Sequence, residues 1–131
     1  MTGRAVRAVV VIALTHPLAA CAAAAAGAAG AATGIYLTSR GANGIVEGTV
    51  ADVTRRTERV YADMDITITE REYQETGEVE IKGDRNGTQV NTEIEYETAT
   101  TTEVKVEARE NEFQWDQDLA REVVQRIVQA R

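Results

Sequence analysis

"GEVEIKGDRNGTQVNTEIEYET", residues 77–98, is the stretch on which the fold turns. In its first half Val79 and Ile81 alternate with charged residues, and in its second Val90, Ile94 and Tyr96 alternate with Asn91, Glu93, Glu95 and Glu97. A period of two sends successive side chains to opposite faces of a strand. Between the halves lies Gly83-Asp84-Arg85-Asn86-Gly87, and Asn-Gly is the strongest short hairpin signal because both residues accept positive φ. The segment is predicted to be an antiparallel hairpin with one apolar face and one acidic, solvated face.

The same reading extends to both sides. "TTTEVKVEARE" (100–110) places Val104, Val106 and Ala108 on one face, and Asp65–Gln74 alternates Ile66 and Ile68 with Asp65, Thr67 and Thr69. "IVEGTV" (45–50) reads as a first strand, with Gly48 permitting close packing. From Thr49 to Met64 the period changes to that of a helix. Thr49 and Asp52 form a capping-box-like start, Val50, Val53, Thr57, Val60, Tyr61 and Met64 share one face, and Arg55, Arg56, Glu58, Arg59 and Asp63 point away as a solvated face. A second helix spans Trp115–Arg131, with Asp116 or Asp118 at its start, Arg126 and Arg131 at its end, and Leu119, Val123, Val124, Ile127 and Val128 as its stripe. Alternating strands and one-sided helices bury most cheaply as two layers. The expectation is an α+β two-layer sandwich, β-α-β-β-β-β-α, in which an antiparallel sheet of four to five strands carries two helices on one face.

Ahead of this domain the composition changes. The chain has 131 residues; all 21 acidic ones follow Cys21, whereas Arg4 and Arg7 precede it, leaving 12 basic residues against 21 acidic and a net charge of −9 after Cys21. Such a surface repels phosphates and, with few aromatics, argues against nucleic acid as a partner. The one His is His16 and the one Cys is Cys21, so the domain lacks the usual His and Cys zinc or haem ligands and an internal disulfide, and no cofactor is expected. Residues 1–20 begin with Arg4 and Arg7, continue through the apolar run Val9–Leu14, and end in small residues after Pro17, the layout of a secretory signal.

Leu18-Ala19-Ala20-Cys21 resembles the bacterial lipobox. The resemblance implies that the Cys21 thiol receives diacylglycerol, that cleavage falls between Ala20 and Cys21, and that the new amino group is acylated. One acyl chain holds a protein marginally, whereas two or three make release negligible. The division expected is 1–20 signal peptide, 21–43 Ala/Gly-rich tether and 44–131 folded domain. The competing reading is an uncleaved span or an ordinary cleaved signal, since Ala8–Leu37 is thirty residues without a formal charge; its second half, however, is nearly all Ala and Gly.

"LAAC", "GAATGIYLTSRG", "GIVEGTVADV" and "WDQDLAREVVQRI" together resemble small bacterial envelope lipoproteins of an uncharacterised domain family. That resemblance implies a membrane partner through acylated Cys21 and a binding or structural role toward an unknown envelope protein or cell-wall component. By the same resemblance, Ala22 rather than Asp after the cysteine favours the periplasmic face of the outer membrane over retention in the inner membrane. The family carries no established activity, so no catalytic residue is transferred.

The one candidate for chemistry is the row Glu93, Glu95 and Glu97, about 7 Å apart along one strand face. Paired carboxylates at that spacing suit a glycosidase-like hydrolase, and hard cations accept carboxylates. The bland reading, a solvated strand face, fits the same residues and is preferred. Phe113 and Trp115 flank the second helix, where a staple against the core is expected. Tyr36, just before the domain, suits either packing or a membrane interface.

Overall fold

The computed structural model describes residues 34–131. Its elements run β1 (Ile35–Leu37), β2 (Gly41–Glu47), α1 (Val50–Asp63), β3 (Thr67–Tyr73), β4 (Val79–Arg85), β5 (Thr88–Tyr96), β6 (Thr101–Asn111), β7 (Gln114–Trp115) and α2 (Gln117–Gln129). Every strand pairing is antiparallel, and the sheet order is β1-β2-β6-β5-β4-β3 with β7 also on β6. Both helices lie on one face, α1 over β3 to β5 and α2 over β1, β2 and β6, and they touch each other between. The expected α+β sandwich is therefore present.

Two short strands raise the sheet to seven. β1 has three residues and β7 has two, too few to carry a period. The sheet also starts earlier than position 44, since β1 and Gly41–Asn43 of β2 fall within the stretch read as tether. A Thr38 turn joins them, its Oγ1 accepting from the backbone N–H groups of Arg40 (3.3 Å) and Gly41 (3.0 Å). Leu18, Ala19, Ala20 and Cys21, with the whole signal segment, lie outside the described residues.

The hairpin at the centre of the sequence reading forms as expected. Arg85 pairs with Thr88 across Asn86 (φ 53°) and Gly87 (φ 91°), and Asp84 Oδ1 accepts from the Gly87 N–H at 3.1 Å. Gly48 is a turn residue just past the strand, and α1 packs closely on it: a Cβ there would lie 3.3 Å from Arg56 Nη2 and 3.5 Å from Asp52 Cβ. Its φ of 129° swings the chain out of β2 into the N-cap of α1, a conformation that side chains with a Cβ avoid. Thr49 then caps the helix, accepting from the Asp52 N–H at 3.2 Å and donating to Asp52 Oδ2 at 2.9 Å. Asp116 caps α2 in the same manner through the Leu119 N–H at 2.8 Å. The hydrogen bond from Thr49 holds the Asp52 carboxyl below its ordinary range.

Between the layers, Val79, Ile81, Val90, Ile94, Val104, Val106 and Ala108 meet Val53, Val60 and Tyr61 of α1 and Leu119, Ala120, Val123, Val124 and Ile127 of α2. Tyr61 is fully buried, so its hydroxyl requires partners. It lies 2.7 Å from Thr92 Oγ1 and donates toward the carbonyls of Ile81 (3.3 Å) and Val90 (3.5 Å). Burial raises its pKa, partly opposed by Thr92. Gly83 sits under this ring: a Cβ there would come within 2.6 Å of Ile66 Cγ2 and 3.0 Å of Tyr61 Cε2.

β3 departs from simple alternation. Ile68 opposes Gly83 and Glu70 opposes Lys82, so Thr69 is the extra residue of a bulge. Beyond it Glu70 and Glu72 turn to the face away from the helices, while Arg71 turns toward them and donates from Nε to Glu58 of α1 at 2.7 Å. No helix among the described residues is long and apolar enough to cross a membrane.

Candidate functional site

The second face of the sheet carries no helix, and the registers fix its rows. One runs Tyr36, Asn43, Lys105, Glu93, Glu80, Glu72 from β1 to β3, and the next runs Gly41, Glu107, Asn91, Lys82, Glu70. Beyond them Trp115, Arg109, Gln89 and Asp84 line up. This is the wet face that the sequence implies, and acids dominate it.

Its cations are almost fully engaged by neighbours. Lys82 Nζ lies 3.1 Å from Glu70, 3.5 Å from Glu72 and 3.6 Å from Glu80. Lys105 Nζ donates to both oxygens of Glu95 at 2.8 Å and approaches Glu103 at 4.0 Å. These bonds hold both ammonium groups above the ordinary lysine range, led by Glu70 for Lys82 and by Glu95 for Lys105. Arg109 Nη2 donates to Gln89 Oε1 at 2.7 Å, and the Arg40 guanidinium stands 5.4 Å from the centre of the Trp115 ring, a cation–π distance.

Two depressions mark this face. The larger, about 590 Å³, lies between Glu70, Lys82, Asp84, Asn91, Glu107 and Trp115. The smaller, about 220 Å³, is bounded by Arg40, Asn43, Glu93 and Lys105, and shares Asn91 and Glu107 with the first. Asn91 Nδ2 donates to Glu80 Oε1 at 2.7 Å, whereas its Oδ1 is buried without a hydrogen-bond partner among the described residues. Such an acceptor is costly to leave unmet.

The candidate carboxylates separate. Glu93 and Glu95 share the open face, but the strand ends at Tyr96, and Glu97 turns into the β5–β6 connection, where its Oε2 accepts from Thr101 Oγ1 at 3.2 Å. The three-residue row is thus a pair. Glu93 has its carboxyl raised above the usual range, first by desolvation; Lys105 opposes this, and Glu80, Glu95 and Glu107 reinforce it. Glu95 is the opposite case, with both oxygens taken by Lys105. No cluster of three or more acidic, His or Cys side chains with metal-binding geometry occurs among the described residues.

The aromatics also part company. Phe113 is 91% exposed at the tip of the β6–β7 turn and staples nothing. The turn is instead held by Asn111, whose Oδ1 accepts from the Phe113 N–H at 3.0 Å. Trp115 faces the larger depression, a role its place before a helix does not announce. Tyr36 lies on the open face, donating to Glu103 Oε1 at 3.0 Å and accepting from Asn43 Nδ2 at 3.4 Å.

No curated protein and no solved structure matches the chain. Residues 5–129 match the family described as "Protein of unknown function (DUF3568)", a span that takes in both the folded domain and nearly all of the segment before it. By that match, the chain belongs to the DUF3568 family of proteins of unknown function.

Proposed function

We propose that this chain is a lipid-anchored envelope protein with a non-enzymatic binding or structural role, held by acylated Cys21 to the periplasmic face of the outer membrane. The observation that carries this reading is Leu18-Ala19-Ala20-Cys21 behind Arg4, Arg7 and the apolar run Val9–Leu14. The family match supports it, because positions 18–21 lie inside the matched span rather than outside it. On this reading the chain between Cys21 and Ile35 sets the reach of the domain, at most about 50 Å if fully extended. The excess of 21 acidic over 12 basic residues after Cys21 keeps the globule off anionic headgroups.

Binding is preferred to hydrolysis because the pair left by Glu97 is poorly armed. A retaining or inverting pair needs one carboxylate oxygen free to attack or to activate water, and Lys105 occupies both oxygens of Glu95. The anchor is tested by mass spectrometry of the N-terminal peptide from membranes. A peptide that starts at Cys21 and carries diacylglycerol is expected; one starting at Met1 or Thr2, with a Cys21→Ser chain still sedimenting with membranes, overturns the reading.

A further inference from the structure

Asp84-Arg85-Asn86-Gly87-Thr88 serves the fold as a hairpin turn, and we propose that it is also an N-glycosylation site, with Asn86 the acceptor of an oligosaccharide carried on a polyprenyl diphosphate. The inference rests on the export reading above, because such donors and their transferases work on exported chains. Asn-x-Ser/Thr with no Pro between is the acceptor motif. The chain holds four asparagines, and only Asn86 has a hydroxyl residue two places on; Asn43, Asn91 and Asn111 are followed there by Ile45, Glu93 and Phe113. Asp84, two places ahead, adds a carboxylate that a cationic transferase cleft can pair.

The packing singles out the same residue. Asn43 donates from Nδ2 to Tyr36 at 3.4 Å, Asn91 to Glu80 at 2.7 Å and Asn111 to Gln114 at 3.1 Å. The Asn86 side-chain amide has no hydrogen bond among the described residues and is exposed at the hairpin tip, where a Cβ on Gly87 would meet nothing within 4 Å. The turn is held from elsewhere, by Asp84 Oδ1 and the Arg85–Thr88 pair, so a sugar on Asn86 Nδ2 displaces no contact. That pair is the last rung before the tip. It can part to present the segment to a transferase while Ile81 and Val90 stay in the core. In the transfer, a bond forms between Asn86 Nδ2 and the anomeric carbon of the first sugar as that carbon's bond to the diphosphate oxygen breaks. Polyprenyl diphosphate leaves with the bonding pair, and the amide gives up one proton to a base on the transferase.

The test incubates the full chain, in neutral detergent micelles, with a purified bacterial oligosaccharyltransferase, manganese and a polyprenyl-diphosphate-linked oligosaccharide, followed by peptide mapping by mass spectrometry. One glycan per chain is expected, on Asn86. Thr88→Ser keeps the transfer, whereas Thr88→Val and Asn86→Asp abolish it. Asp84→Asn, which retains an oxygen for the Gly87 N–H, slows it about tenfold or more through the lost charge contact. Misfolding cannot mimic these losses, because an unfolded chain would only bare the segment further. A bare parent chain beside a modified reference acceptor, a glycan on another asparagine, or equal transfer to Thr88→Val overturns the proposal. The same map is then made of the chain from its own membranes. A chain lipidated at Cys21 but bare at Asn86 also overturns the site. A chain starting at Met1 overturns the anchor instead, and the purified reaction then decides the site alone.

Discussion

Replacing Tyr61→Phe tests the account of the core most sharply. The ring stays and only the hydroxyl goes, so the cost is that of the hydrogen bonds to Thr92 Oγ1, Ile81 O and Val90 O. A net hydrogen bond contributes about 1 kcal/mol, and a buried hydroxyl stripped of its partner costs about 1–3 kcal/mol more. Thr92 is fully buried, and its Oγ1 has no other partner among the described residues. The expected loss is therefore about 2–3 kcal/mol, or a Tm lower by about 10 °C or more in a domain of this size. Thr92→Val alone should cost about 1 kcal/mol, because the Tyr61 hydroxyl keeps its two carbonyls. Combined, the two substitutions replace a polar pair with apolar groups of similar shape, so the double variant should be more stable than the sum of the single losses predicts, by about 1 kcal/mol. Urea unfolding followed by circular dichroism measures all three. A Tyr61→Phe protein as stable as the parent, or strictly additive losses, would refute the assignment of a shared buried hydrogen bond.

Gly83→Ala places a Cβ against Ile66 and the Tyr61 ring, and should cost about 1–3 kcal/mol by overpacking, read as a shift in urea midpoint at unchanged slope. Glu93 has a folded pKa above its unfolded value, so its contribution to stability is complete below the ordinary glutamate range and is lost as pH rises through the folded value. Glu93→Gln should accordingly raise Tm at neutral pH and lose that advantage below about pH 4, as thermal melts across pH would reveal. Phe113→Ser should leave stability within about 0.5 kcal/mol, because the exposed ring has almost no packing to lose.

The parts legible in the sequence are those fixed by local chemistry. Asn86-Gly87 dictates its hairpin, Thr49 with Asp52 and Asp116 dictate the helix starts, and period-two runs dictate β4, β5 and β6. Features that depend on distant partners were not legible. Nothing within Thr67–Tyr73 singles out Thr69 as the bulged residue; the registers of Gly83 and Lys82 decide it, and with it which acids reach Lys82. Tyr96 keeps the phase expected of it yet lies at the end of its strand, largely exposed. At the site, Glu93 and Glu95 follow from alternation, whereas Glu97 is lost because the strand stops one residue earlier. Trp115 reaches the larger depression only through a two-residue strand folded back on β6, and no periodic signal survives over so short a length, whereas Arg109, within β6 itself, follows from alternation with Lys105 and Glu107.

The place of β6 between β2 and β5 has a consequence for assembly. Gly41 pairs with Glu107 and Glu47 with Thr101, so the first long strand of the domain gains its main partner only from the last long one. A chain emerging amino end first can close β3, β4 and β5 as a local meander, but β2 must wait, and contacts so far apart in sequence form slowly. A premature stop before residue 101 therefore yields no smaller stable version of the domain: it leaves β5 with an unpaired rim and β2 with little to join, the condition in which sheets recruit strangers. The domain is indivisible, and a chain arrested halfway is a seed for aggregation.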